Sequence, residues 1–383
     1  MGKAGPWMPT LLQLCASHKS VGSCAGKITY DGNEAGPQYR HLVSLIAKED
    51  QFSCISNLTV SETLMYMARL RLGGTTTVAD RESRVDELIS MLGLDKCRDV
   101  RLGSETVRGI SGGEKKRVGL GLGLVSSPSI VILDEPTTGL DSAISFDVMG
   151  HVKESACVKL QRTVVVAIHM PSEEIFNLFD KLVLVSDGRM VYSGPAADAA
   201  SYFSASPHNA VVEAKENPAD FLISVCSGGR SQAGATGADL EAAFVSSDEY
   251  TNMKQIVTEM QSDKIRTELK PHIVTSQDER RQMKSLFSRT LTQFFRSRSI
   301  WCTELGKMTW IGLLYSSSYA DQSENADGAI NLESCFYFSL MFGILGNLRG
   351  LITLFDERKM FEHERMARAY SPYVYWVVTS VAQ

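Results

Sequence analysis

Two short runs hold the densest chemistry in this chain: Ser111-Gly112-Gly113-Glu114, and Ile130-Val131-Ile132-Leu133-Asp134-Glu135-Pro136. Apolar residues followed by two carboxylates describe a buried strand whose end delivers acids into a cleft. Asp134 is then placed to sit near Mg²⁺, directly or through water, with Glu135 orienting or deprotonating an attacking water. The Ser-Gly-Gly turn opens a helix and offers backbone N–H groups with little steric obstruction, which suits a phosphate. A lone SGG reads as a turn and a lone DE pair as surface. Both in this order, about twenty residues apart, point to phosphate chemistry.

Those residues need a sheet to hold them. Short apolar runs at Leu42–Ala47, Ser129–Leu133, Thr163–Ile168 and Leu182–Val185 alternate with helix-compatible stretches over 1–225, the pattern of a buried sheet covered by helices. Val60–Leu72 reads as a helix opened by Thr59 or Ser61, with Glu62 in its first turn, and Arg81–Leu94 as another. Asp187-Gly188 marks a hairpin turn. Residues 226–284 are polar, with a Gly/Ser-rich linker at their start and mixed charges at helical spacing after it. From 285 the chain turns apolar again. An amphipathic stripe at Leu286–Phe295 precedes Ile300–Tyr319, which Glu304 and Lys307 interrupt. Cys335–Leu354 reads as long enough to cross a bilayer, and Tyr373–Ala382 as the start of a third apolar segment.

Composition removes other classes. The 383 residues carry 39 Lys plus Arg against 44 Asp plus Glu, a net charge of -5, so no nucleic-acid partner is expected from overall charge. The eight cysteines form no CxxC pair, which argues against a zinc ribbon or a disulfide scaffold.

ISGGEKKR at 110–117 followed by VILDEPTTGLDS at 131–142 resembles the nucleotide-binding domain of ATP-binding cassette (ABC) transporters. LTVSETL at 58–64, AIHMPS at 167–172, GRMVYSGPA at 188–196, NPADFLISV at 217–225 and FDERKMFEHERMARAY at 355–370 resemble the G subfamily of half-transporters. The resemblance implies an α/β P-loop NTPase-type cassette with a helical subdomain over 1–225, N-terminally incomplete. It further implies connecting helices over 226–284 and a partial all-α, ABC-2-type transmembrane domain over 285–383. The implied protein is a multi-pass membrane transporter with its cassette in the cytoplasm. It hydrolyses ATP with Mg²⁺, works as a dimer with a second half-transporter chain, and moves a hydrophobic small molecule or lipid through a bilayer. Within the implied site, Ser111, Gly112 and Gly113 contact ATP held by the opposite cassette. Asp134 is the Mg²⁺-associated acid, Glu135 the catalytic base, Asp141 part of the coupling loop, and His169 the switch histidine.

The chain departs from that pattern at its start. The family phosphate loop has the form GxxGxGK followed by Ser or Thr. Gly2 and Gly5 fall in register, but Trp7 replaces the third glycine, Met8 the lysine, and Pro9 the hydroxyl residue. Each change removes something a phosphate needs: space, a positive charge, an N–H. The expected glutamine column falls on Asp50, which makes neighbouring Gln51 the candidate if the loop shifts by one residue. A non-hydrolysing partner that lends its signature motif to another cassette is the alternative reading.

Overall fold

The computed structural model describes residues 1, 7–17, 23, 25–46, 55–73, 76–104, 107–205, 210–211, 216–228, 236–260, 276–319, 326–346, 355, 357–358, 360–365 and 369–382. Its first elements are helix α1 (Trp7–Cys15), the short pair β1 (Thr29–Tyr30) and β2 (Asn33–Glu34), and strand β3 (Val43–Ile46). Helices α2 (Val60–Arg71), α3 (Val78–Met91) and α4 (Gly112–Leu124) lead to strand β4 (Ile130–Asp134). Helix α5 (Ser142–Val152) runs on into a π-helical stretch, Lys153–Lys159, before strand β5 (Thr163–Ala167).

β3, β4 and β5 form a parallel sheet with β4 central, and the register pairs Asp134 with Ala167. Because side chains alternate along a strand, β4 divides its residues between two cores. Ile132 faces α1, joining Met8, Leu12, Ala16, Val43 and Ala167. Val131 and Leu133 face the larger core built with α2, α3 and α4. α2, α3 and α4 supply the helical subdomain that the resemblance implies, and the same core takes in Leu286, Met360, Tyr370 and Val374 from later in the chain. Its close packing needs Gly121, where a Cβ would lie 2.9 Å from Leu64 Cδ2.

Local sequence explains where these helices start. Thr59, Thr77 and Ser111 each close a capping box with an acid three residues on: Glu62, Asp80 and Glu114. Each box satisfies two N–H groups that a helix start otherwise leaves open.

Past α6 (Glu173–Phe176), strands β6 (Lys181–Ser186) and β7 (Arg189–Pro195) make the expected hairpin, turning at Asp187 and Gly188, both with positive φ. Helices α7 (Ala199–Ser204), α8 (Pro218–Cys226) and α9 (Gly237–Val245) bury Phe203, Phe221 and Phe244, with Phe203 and Phe244 ranged around Tyr192. Helix α10 (Asp248–Met260) follows. Then come α11 (Ser276–Arg296), α12 (Arg298–Tyr319), α13 (Ala326–Gly346) and α14 (Pro372–Ala382), with a helical piece at 360–365.

The expectation of an all-α transmembrane domain, and of a multi-pass membrane placement, is corrected here. Among the described residues, no helix is long and apolar enough to cross a membrane. The physical reason lies in what the described helices contain. α13 starts at Ala326 and so includes Asp327, Asn331 and Glu333. The described part of the expected span, Cys335 to Gly346, measures about 18 Å at 1.5 Å per residue, short of a roughly 30 Å hydrocarbon core, and residues 347–354 of that span lie outside the described residues. α12 contains Glu304, Lys307 and several serines.

Candidate functional site

β4 ends at Asp134, and the next residue leaves the strand with φ 44°. A left-handed conformation is uncommon for a side chain such as glutamate, and it turns Glu135 sharply off the sheet. Glu135 N–H donates to Ala167 O at 2.9 Å, so the tip of β5 fixes the turn. Thr138 Oγ1 donates to Glu135 Oε2 at 2.8 Å and holds the carboxylate partly exposed. His169 lies just beyond the same Ala167, exposed, and is followed by Met170 at φ 46°. Asn217, the N-cap of α8, donates from Nδ2 to Pro171 O at 2.9 Å and ties down this bend. Glu135 and the His169 segment are thus brought together by the sheet.

Ser111 caps α4. Its hydroxyl donates to Glu114 Oε2 at 2.8 Å and accepts from Glu114 N–H at 3.3 Å, while its own N–H donates to Glu114 Oε2 at 2.8 Å. Burial opposes ionisation of Glu114, but the Ser111 donors win and hold its carboxyl below the usual range. The two glycines that follow permit close packing. A Cβ on Gly113 would lie 2.5 Å from Ile144 Cγ2, and one on Gly112 would lie 3.3 Å from Leu140 Cδ2. Asp141 caps α5 by accepting from Ile144 N–H at 2.8 Å, just after Gly139 at φ 80°. The start of α4 therefore sits directly against the 140–144 turn. Arg117 of α4 also pairs with Asp147 of α5. Asp134 and Lys116 line one small cavity of about 20 Å³, closed by Leu120, Pro136 and Val148.

Gly2, Gly5 and Gln51 lie outside the described residues. Met8, at the lysine position, is 7% exposed and belongs to the α1 core. Pro9 and Thr10 follow it inside the same helix.

Sequence reasoning missed two ion-pair groups that join the later helices to each other and to α2. Arg296 of α11 binds Glu62 of α2 with both amines, at 2.6 and 2.7 Å, and also donates to Asn57 O at 3.2 Å. Glu62 serves at once in its capping box and in this pair. Arg289, also on α11, binds buried Glu364, which accepts from Tyr370 OH at 2.6 Å. Only a glutamate in a helix first turn, and an acid in a charged run, are visible beforehand.

The Arg296 hydrogen bonds hold the Glu62 carboxyl below its ordinary 4.5, against an opposing effect of burial. A depressed carboxylate pKa gives stability that is complete above the unfolded value and is lost as pH falls through the folded one. Glu62→Gln is therefore expected to cost about 1 kcal/mol near pH 7, the screened worth of a partly exposed pair. That difference should shrink toward zero as pH drops below 4.5. Urea midpoints of both proteins across pH 3–7 check this, and a gap that persists at the acid end contradicts it.

Comparisons with known proteins agree with this layout. The family model described as ABC transporter matches residues 2–138, and ABC-2 type transporter models match 169–305 and 281–383. ABC transporter G family member 4 of Dictyostelium discoideum is 32% identical over 98% of this chain and 46% of its own length. G family member 7 of the same organism is 31% identical over 99% and 45%. The broad substrate specificity ATP-binding cassette transporter ABCG2 of Bos taurus is 28% identical over 97% and 59%. The chain spans about half the length of these relatives. A nucleotide-binding family segment followed by ABC-2 type segments, on this fold, gives the chain the ABC transporter, G-subfamily-like architecture.

Proposed function

We propose that this chain is one half of an ATP-driven transporter, paired with a second G-type half-transporter chain and moving a hydrophobic small molecule or lipid at a bilayer. Residues 1–225 are its nucleotide-binding part, 226–284 connect, and 285–383 are its ABC-2 type part. The observation that carries the reading is the α4 start packed on the 140–144 turn, with Gly113 admitting Ile144. In this reading Ser111, Gly112 and Gly113 face nucleotide held by the other chain, and Asp141 communicates between the two sites.

The carboxylates at the end of β4 fit a Mg²⁺-nucleotide: Asp134 as the metal-side acid, Glu135 as the group that takes a proton from water, His169 as a phosphate contact. Mg²⁺, when bound, would neutralise charge on the phosphoryl oxygens. The α1 end does not fit, because Met8 is buried among apolar side chains and Pro9 has no N–H. That burial favours a second reading, in which the chain lends its Ser111 turn to a partner's nucleotide without hydrolysing its own.

The test is ATPase activity of the purified chain alone and mixed with a G-type half-transporter whose loop carries lysine and whose catalytic glutamate is intact. Activity above that of the partner alone is expected in the mixture and should fall about 10²-fold with Ser111→Ala in this chain. A mixture no more active than its parts rules out the pairing. Turnover by this chain alone that is lost with Glu135→Gln removes the second reading.

A further inference from the structure

We infer that α1 is a core-filling helix, so this chain holds no nucleotide phosphate of its own. The inference rests on the packing of α1, and on the half-transporter reading only for taking Mg-ATP as the ligand to be tested. Met8, Leu12 and Ala16 are 7%, 5% and 2% exposed. Their spacing of four residues places them on one helix face. That face meets Val43 of β3, Ile132 of β4 and Ala167 of β5. The other end of the helix is tied down as well: Tyr30 OH donates to Cys15 O at 2.6 Å and lies 2.8 Å from Ser17 Oγ.

A phosphate clamp needs a cation that reaches out of the helix start and backbone N–H groups aimed at the anion. Here the position that aligns with the cation is spent on the sheet. Met suits such a place because it is unbranched and adapts to irregular gaps. Lysine on the same backbone would leave an ammonium among Val43, Ile132 and Ala167, or pull the side chain out and open a void under α1. Pro9 removes one of the N–H groups that a helix start could offer. The usual repair, restoring lysine, thus has an unusual expected outcome. It should damage the protein rather than rescue it.

The experiment uses the full chain as wild type, Met8→Leu and Met8→Lys, with Mg-ATP as the probe. Melting temperature and calorimetric titration are the readouts. Wild type is expected to show no saturable Mg-ATP binding and no rise in melting temperature at about 5 mM nucleotide. Met8→Leu should stay within about 3 °C of wild type, and Met8→Lys should fall by about 5–15 °C without gaining binding. Saturable binding by wild type alone overturns the inference, as does Met8→Lys that melts like wild type and acquires Mg-ATP binding. Should Met8→Lys fail to fold, the wild-type titration still decides. Binding by the chain alone leaves the half-transporter reading standing. No binding alone, combined with no added ATPase in the partner mixture, sinks that reading and leaves the packing of α1 intact.

Discussion

Glu364→Ala is expected to destabilise the chain by about 3–5 kcal/mol. Glu364 is 1% exposed and Arg289 9%. Arg289 Nη2 donates to Glu364 Oε2 at 3.2 Å, and Nη1 binds the other oxygen. Tyr370 OH adds a third donor at 2.6 Å. Burial, and then the Glu364 charge, push the Tyr370 hydroxyl far above its ordinary pKa, so it remains a donor at every working pH. Removing the carboxylate takes two hydrogen bonds from a guanidinium that is 9% exposed, in a cavity it shares with Gln293, Glu357 and Thr379. The cost is the penalty of a buried charge that loses this partner more than the worth of the pair. Replacing both partners by apolar groups, Arg289→Met with Glu364→Leu, should therefore recover most of the loss. Urea midpoints of wild type, the single and the double variants give the answer. A single-variant loss under about 1 kcal/mol would show that the charge escapes to water and the pair is dispensable.

That pair also marks the limit of what the sequence reveals. β4 is legible because burial and chemistry lie in consecutive residues: an apolar run, then Asp134 and Glu135. The α4 start is legible for a similar reason, since Ser111 and Glu114 satisfy one another within a single turn. The same holds for Thr59 with Glu62 and for the Asp187-Gly188 hairpin. Glu364, by contrast, sits in the charged run 355–370, where nothing local shows which of its acids is buried. Its burial depends on an arginine 75 residues earlier. Met8 fails in the opposite direction. Motif alignment shows which residue is missing from the phosphate loop but not what the substitute does, because its neighbours on β3, β4 and β5 are remote in sequence. The apolar stretch expected at 335–354 misleads over its described part, 335–346. A hydropathy reading counts residues, whereas the helix that forms draws in Asp327 and Glu333 at its start.

Gly109→Ala should be at least as damaging as the Glu364 truncation, about 3–5 kcal/mol, and should also misplace the Ser111 turn. A Cβ on Gly109 would fall 2.2 Å from Leu102 O, 2.4 Å from Leu102 C and 2.5 Å from Gly103 Cα. These are backbone atoms, so no rotamer change relieves the overlap and two chain segments must separate. Both are anchored. Leu102 N–H donates to Leu58 O at 2.9 Å, Gly103 N–H to Ser56 O at 2.9 Å, and Ile110 N–H to Arg101 O at 3.1 Å. Leu102 is fully buried in the subdomain core, so pushing it away opens a void there as well. Gly103 has φ 75° and returns the contact, since its own Cβ would lie 2.5 Å from Gly109 Cα. Ile110 and Ser111 follow immediately, and any separation is passed on to the first turn of α4. Gly150→Ala is the matched control. It lies inside α5, where an added methyl group would meet nothing within 4 Å, so it should be neutral or stabilise by about 0.5–1 kcal/mol. Urea midpoints measure both, and amide exchange over 112–116 reports the state of the α4 start. Equal stabilities for the two variants would mean that the 101–103 and 109–110 segments are not pressed together, and that the Ser111 turn is held by its own capping box alone.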